Sequence, residues 1–267
     1  MTSPQTGFAF LDDAHGILAM AHRGGAAHAD NARLENTRAA FAHAVALGYD
    51  YLETDVHVTR DGVLMAFHDA VLDRVTDATG ALAKVTLAEL EPARIGGRER
   101  VPTLTELYDA FPGARFNIDL KAGAAVGPLA AFVRERGAWD RVLVGSFSPG
   151  RLREFRRLTH ARVATSAHPL EVAAFRLLPS ARLARAVTRG RVAALQVPHR
   201  RGPLRVVTPG LVRRAHAAGA HVHVWTVDDP AEMHELLERG VDGLITDRTD
   251  ILKAVLVERG QWRDDHE

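Results

Sequence analysis

The sequence predicts an α/β fold, a closed (β/α)8 barrel, and three observations lead there. Strand-like and helix-like stretches alternate along all 267 residues with no obvious linker between them. About eight such units fill about 250 residues, the size of a single barrel of this kind. Polar and charged residues recur at the C-terminal ends of the strand-like runs, where a barrel collects its functional groups. An open, doubly wound sheet is the structural rival. The glycine pair at the first strand-to-helix turn, Gly24-Gly25, does not match G-x-G-x-x-G, which weakens a dinucleotide-binding version.

The elements follow in order. Residues 17–21 form a short apolar strand ending on His22-Arg23, and two glycines turn the chain at once. Residues 36–47 repeat alanine and apolar residues at helical spacing and stop at Gly48. Residues 51–57 are the second strand, and 62–68 are extended after an Arg60-Asp61-Gly62 turn. Residues 69–101 are irregular apart from a short helix at 87–90, so 58–104 reads as a small insertion within one domain spanning 1–267. Helix 104–111 stops at Pro112-Gly113. Further strands are expected at 115–120, 141–146, 163–166, 192–197, 221–227 and 243–246. Helices are expected at 128–136, 149–158, 170–178, 209–218, 231–239 and 251–258.

Composition sets limits on function. Hydrophobic content of 46% and charged content of 25% are ordinary for a globular protein, and a net charge of +1 argues against a dedicated nucleic-acid or membrane-surface binder. With no cysteine there is no disulfide framework, thiolate metal site or cysteine nucleophile. The N-terminus lacks a basic segment followed by a long apolar core, and no run approaches the roughly 20 apolar residues needed to cross a bilayer, so a cytoplasmic location is expected.

The strand ends carry the chemistry. Alternation puts Glu53 and Asp55 on one strand face, and Asn117, Asp119 and Lys121 on another. His223 and Trp225 share a face of the seventh strand, and Asp247 ends the eighth. Together with His22 and Arg23 they make a mouth of carboxylates, cations and histidines. Glu53, Asp55 and Asp119 offer only oxygen donors, which suit one hard divalent cation, Mg²⁺ or Ca²⁺. Arg23 and Lys121 supply positive charge for an anionic substrate. A hard metal, two cations and two histidines are the equipment of phosphoryl transfer, with His22 and His68 the natural acid–base pair and Asp69 placed to orient His68.

The chain carries HRG at 22–24, EN at 35–36, ETDV at 53–56, TRDG at 59–62, HD at 68–69, NIDLK at 117–121, VWTVDDP at 224–230 and GVDGLITD at 240–247. These motifs resemble those of the glycerophosphodiester phosphodiesterase family, within the phosphatidylinositol phosphodiesterase-like TIM-barrel superfamily. The resemblance spans nearly the whole chain in the expected order. It implies a TIM barrel with a small insertion after the second strand, and hydrolysis of glycerophosphodiesters to sn-glycerol 3-phosphate and an alcohol. It further implies that Glu53, Asp55 and Asp119 bind one divalent cation and that His22 and His68 are the acid–base pair. Arg23 and Lys121 would contact phosphate, Trp225 would line the pocket, and Glu35 would belong to the site. Asp119 stands where the family often has glutamate, and Leu34 and Thr249 where it often has proline. Asp119 is also similar to the sphingomyelinase D-like lyases, which release a cyclic phosphate, although the C-terminal blocks fit the phosphodiesterases better.

Other readings stand beside this one. His57, His199 and His223 are secondary candidates for the mouth, whereas His43, His160, His168, His216 and His234 read as surface groups. The arginine-rich stretch 182–205 reads as a solvated face, with anionic lipid or nucleic acid as alternatives and no aromatic interleaving to favour single-strand stacking. A small-molecule phosphodiester, including a lysophospholipid, is the expected partner, with no nucleic acid. A barrel that binds a phosphorylated ligand without chemistry is the rival from another class.

Overall fold

In the computed structural model, which describes residues 3–14 and 16–262, eight parallel strands form a ring. They are β1 (Leu18–His22), β2 (Tyr51–Val58), β3 (Arg115–Leu120), β4 (Val142–Gly145), β5 (Ala164–Thr165), β6 (Ala194–Pro198), β7 (His221–Trp225) and β8 (Gly243–Thr246). The neighbour order is β5-β4-β3-β2-β1-β8-β7-β6. The ring closes between β5 and β6 through a parallel bridge, Ser166 to Ala194, flanked by Ala193 N–H donating to Thr165 O at 2.9 Å and Ala167 N–H to Ala194 O at 2.8 Å. The open-sheet alternative is thereby set aside. The expectation of one unit over 1–267 extends past the described residues at both ends.

The period of two along each strand explains where the core sits. Ala19, Ala21, Leu52, Val56, Phe116, Ile118, Val142, Val144, Val222, Val224 and Leu244 face outward into the layer between strands and helices. Leu18, Met20, Tyr51, Leu143, Ala164, Ala194 and Ile245 face the barrel interior. The short helix Ala9–Asp12 places Phe10 and Leu11 in that inner cluster, with Phe10 edge-on to Tyr51 at 5.4 Å between ring centres. On β1 and β2 the inward column begins apolar and becomes polar toward the C-terminal end. Leu18 and Met20 lead to His22, and Tyr51 leads to Glu53 and Asp55.

Boundaries moved by a residue or two. β1 includes His22, so the catalytic candidate is the last strand residue. Of the extended run at 62–68 only Leu64–Ala66 pairs, antiparallel to β2. The excursion beyond it contains the expected helix Leu87–Leu90, with a Thr86/Glu89 capping box, and an unforeseen two-residue hairpin, Arg94–Ile95 with Glu99–Arg100. It packs its own apolar cluster around Met65, Phe67, Leu82 and Ile95. After β5 the helix begins at Pro169 (Pro169–Leu177), because His168 caps it through Glu171 N–H, and a second helix, Ala181–Val187, follows before β6. No helix of the described residues is long and apolar enough to cross a membrane.

Candidate active site

The C-terminal ends of the strands surround a cavity of about 930 Å³. Its polar end is formed by His22, Arg23, Glu53, Asp55, His68, Asn117, Asp119 and Lys121, so eight of the residues singled out from the sequence converge there. Trp225 lines the same cavity further out, edge-on to Phe147 at 5.9 Å.

His22 and His68 are held alike. His22 Nδ1 lies 2.8 Å from Asp247 Oδ1, and His68 Nδ1 lies 2.5 Å from Asp69 Oδ1. A carboxylate on Nδ1 fixes the ring orientation and leaves Nε2 for the reacting partner. Burial pulls the His22 pKa down, but the charge of Glu53, 3.8 Å from Nε2, and the Asp247 hydrogen bond outweigh it and leave it raised. Asp69 is held down to about 2, chiefly by the hydrogen bond from Arg74 Nε and then by His68.

The acidic floor is balanced by two cations. Lys121 Nζ bridges Asp55 Oδ1 at 3.0 Å and Asp119 Oδ2 at 2.8 Å. Arg23 Nε approaches Asp55 Oδ2 at 3.1 Å, without the alignment of a hydrogen bond. Burial opposes ionisation of Asp55, yet Lys121 and Arg23 hold it below the usual carboxylate range. Glu53 has no such cation and is pushed up to about 7, first by burial and then by the charge of Asp55. Burial would lower Lys121, but Asp55 and Asp119 overcome it and raise it.

Glu35 sits differently from the other candidates. It does not line the cavity; it accepts two hydrogen bonds from Arg74, both at 2.7 Å, and one from Arg23 Nη1 at 3.2 Å. Arg74 therefore ties Glu35, and through it Arg23, to the Asp69 that orients His68. Nothing in the sequence marked Arg74, which comes from the irregular excursion 39 positions after Glu35. Asn36 was legible only as part of a motif. Its Nδ2–H donates to Asp55 Oδ2 at 3.3 Å, and its Oδ1 accepts from Thr54 at 2.7 Å.

The secondary histidines are structural. His57 continues the inward alternation of Glu53 and Asp55, but its Nε2 bonds the carbonyl of His68 at 3.1 Å, so it braces the backbone that carries His68. His199 faces away from the mouth, buried against Glu232 and Arg239 Nη1; arginine can only donate, so His199 Nε2 accepts. His223 points into the barrel below the cavity, beside Gln196 Nε2 at 3.3 Å, and burial drives its pKa down to about 3.

Among the described residues, three metal-capable groups with ligand atoms all within 4.8 Å of one another occur at His28, Asp30 and His43, outside the cavity lining. Glu53, Asp55 and Asp119 face one space without meeting that spacing, with the Lys121 ammonium between two of them.

The sequence matches the glycerophosphoryl diester phosphodiesterase family over residues 22–251, which takes in every residue of the polar end. The chain belongs to this family. It is 43% identical to the probable glycerophosphodiester phosphodiesterase 2 of Mycobacterium tuberculosis, over 92% of this chain and 93% of the relative. It is 30% identical to the glycerophosphodiester phosphodiesterase of Caldanaerobacter subterraneus subsp. tengcongensis, over 88% and 96%. The crystal structure of a glycerophosphodiester phosphodiesterase from Agrobacterium tumefaciens superposes with a TM-score of 0.73 at 27% identity, covering 90% of this chain and 99% of that one. Like the family, the chain is an enzyme, a phosphoric diester hydrolase, built on the barrel that the alternation of its elements predicts.

Proposed function

We propose that the enzyme hydrolyses glycerophosphodiesters to sn-glycerol 3-phosphate and an alcohol by acid–base catalysis between His22 and His68. One observation carries this reading. Two histidines, each braced through Nδ1 by its own carboxylate, line one cavity together with Arg23 and Lys121. A phosphodiester monoanion placed among these cations is drawn toward both free Nε2 atoms. One histidine takes the proton of the attacking hydroxyl while the other gives a proton to the departing alkoxide. Removal of Asp247 or Asp69 would free the ring it orients.

The donor set also fits a hard divalent cation such as Mg²⁺ or Ca²⁺. Glu53, Asp55 and Asp119 are oxygen donors facing one space, and the positive charge that stands among them here is the Lys121 ammonium. When bound, such an ion supplies Lewis-acid stabilisation of charge on the phosphoryl oxygens. We assign those three residues to hold it, Arg23 and Lys121 to phosphate, Trp225 to the outer wall and Glu35 to the support of Arg23.

The test is ³¹P NMR of the purified protein with glycerophosphocholine, with Mg²⁺, with Ca²⁺ and with chelator. Appearance of glycerol 3-phosphate only with metal is expected, and it should vanish in His22→Ala and in His68→Ala. A persistent cyclic phosphate would replace attack by water with attack by the substrate's own hydroxyl. Full turnover in either histidine variant would overturn the assignment.

A further inference from the structure

Charge is strongly segregated in this nearly neutral chain. Between residues 172 and 227 there are ten arginines and not one aspartate, glutamate or lysine. Arg176 and Arg201 line the cavity. Arg200 and Arg201 lie on the short hairpin with Leu204–Arg205 that follows β6 at the mouth; both are exposed, and neither takes part in an ion pair among the described residues.

The same rim exposes large apolar side chains. Phe147 is 61% exposed, Leu170 69%, Leu177 78% and Leu204 55%. Phe147 and Leu204 also line the cavity, so the exposed apolar rim runs without a break into the interior. Helix Pro169–Leu177 shows why. Glu171 and Phe175 are buried, and Pro169, Val172, Ala173 and Arg176 line the cavity. Leu170 and Leu177, seven residues apart, share a third face turned to solvent. Inside, the carboxylates among the lining residues are Glu53, Asp55 and Asp119, all at the polar end, while Val172, Val206, Leu211 and Trp225 form an arm with no anion for a cationic head group.

We propose that this rim docks on an anionic lipid surface. Arginines facing anionic head groups and leucines entering the interface are the pairing that surface-bound proteins use. A nucleic acid would satisfy the arginines but leave the leucines without a partner.

The experiment uses the full chain and sedimentation with sucrose-loaded vesicles of phosphatidylcholine alone or mixed with phosphatidylglycerol, at low and high salt. Binding to the mixed vesicles at low salt, weakening with salt, is expected, with little binding to phosphatidylcholine alone. Arg200→Gln should weaken binding roughly fivefold, and the pair Leu170→Gln, Leu177→Gln about tenfold. None of the three residues lines the cavity, so glycerophosphocholine turnover should stay at the wild-type rate. Absent or salt-insensitive vesicle binding, or variants that bind like wild type, would overturn the proposal. A low-salt shift of DNA without vesicle binding would transfer the arginines to nucleic acid. Vesicle binding without glycerophosphocholine turnover would instead strike the proposed activity and leave the docking surface standing.

Discussion

His22 Nδ1 and Asp247 Oδ1 lie 2.8 Å apart, joining the last residue of β1 to the residue just past β8. The pair forms because β1 and β8 are neighbours in register, Leu18 opposite Gly243 through Ala21 opposite Thr246, so the next residue on each strand meets above the sheet. Asp247 also anchors its own turn, donating its N–H to Asp228 Oδ1 at 2.8 Å. Its carboxylate is therefore fixed before substrate arrives.

Asp247→Asn should lower kcat roughly 10²- to 10³-fold with a small change in KM. The Asp247 hydrogen bond raises the His22 pKa, so its loss lets burial pull that pKa down. Whichever limb of the pH–rate profile His22 controls should move to lower pH. A measured profile with unmoved limbs would remove Asp247 from this role.

Glu53 supplies a pH-dependent stability. Its pKa is about 7 in the folded chain and 4.5 as the ordinary value. A raised carboxylate favours the folded state while protonated, so this contribution is fully present below 4.5 and is lost as pH rises through 7. The loss amounts to about 3 kcal/mol between those limits. In chelator, Tm should therefore fall from pH 5 to pH 8. Mg²⁺ or Ca²⁺ should restore more of it at pH 8, where Glu53 is ionised, and Glu53→Gln should flatten both effects. Equal metal stabilisation at pH 5 and pH 8 would count against Glu53 as a ligand.

Arg74 joins the carboxylate beside His68 to the carboxylate that supports Arg23. Its guanidinium reaches Glu35 with two nitrogens and Asp69 with the third. Arg74→Ala should reduce kcat about 10- to 100-fold by loosening both His68 and Arg23. The side chain is about half exposed, so the effect on stability should stay near or below about 1 kcal/mol. Arg74→Lys should recover little, because an ammonium cannot reproduce the three-nitrogen fork. Full activity in Arg74→Lys would show that only the charge matters.

How far the site could be read from sequence follows from what holds each residue. Glu53, Asp55, Asn117 and Asp119 lie on strands, and Lys121 is the first residue past β3; a period of two decides which face each side chain takes, and all five line the cavity. The same parity placed His57 and His223 correctly in the inward column. It could not say how far up the barrel each would reach, and both end on internal partners instead of the cavity. Loop residues have no such period. Arg74 enters from an excursion whose path is set by its own apolar cluster, and the hairpin that carries Arg201 and Leu204 to the mouth closes over only two residue pairs. Glu35 was assigned to the site on resemblance alone, and its contacts place it behind Arg23.

The turn after His22 and Arg23 gives the sharpest test of how sequence sets the site. Arg23 itself has a positive φ of 50°, and Gly24 and Gly25 follow at 88° and 85°. A Cβ on Gly24 would fall 2.8 Å from Ala40 Cβ and 2.9 Å from the Ala40 carbonyl carbon, inside the helix Arg38–Ala46. That neighbour is backbone in a packed helix, so it cannot give way cheaply. Gly24→Ala therefore combines left-handed strain with overpacking and should cost about 2–4 kcal/mol of stability. It should also displace Arg23, whose N–H is held by Glu53 O at 3.0 Å and Glu53 Oε2 at 3.1 Å. Chemical denaturation should show the lost stability, and kinetics on the folded fraction should show a raised KM as the guanidinium we assign to phosphate shifts. By contrast, Gly62 has a similar positive φ of 84° with nothing within 4 Å of its Cβ position. Gly62→Ala should cost only the conformational strain, about 1 kcal/mol, and leave KM alone. Equal losses in the two variants would mean that backbone conformation, and not the contact with Ala40, sets the tolerance of the turn.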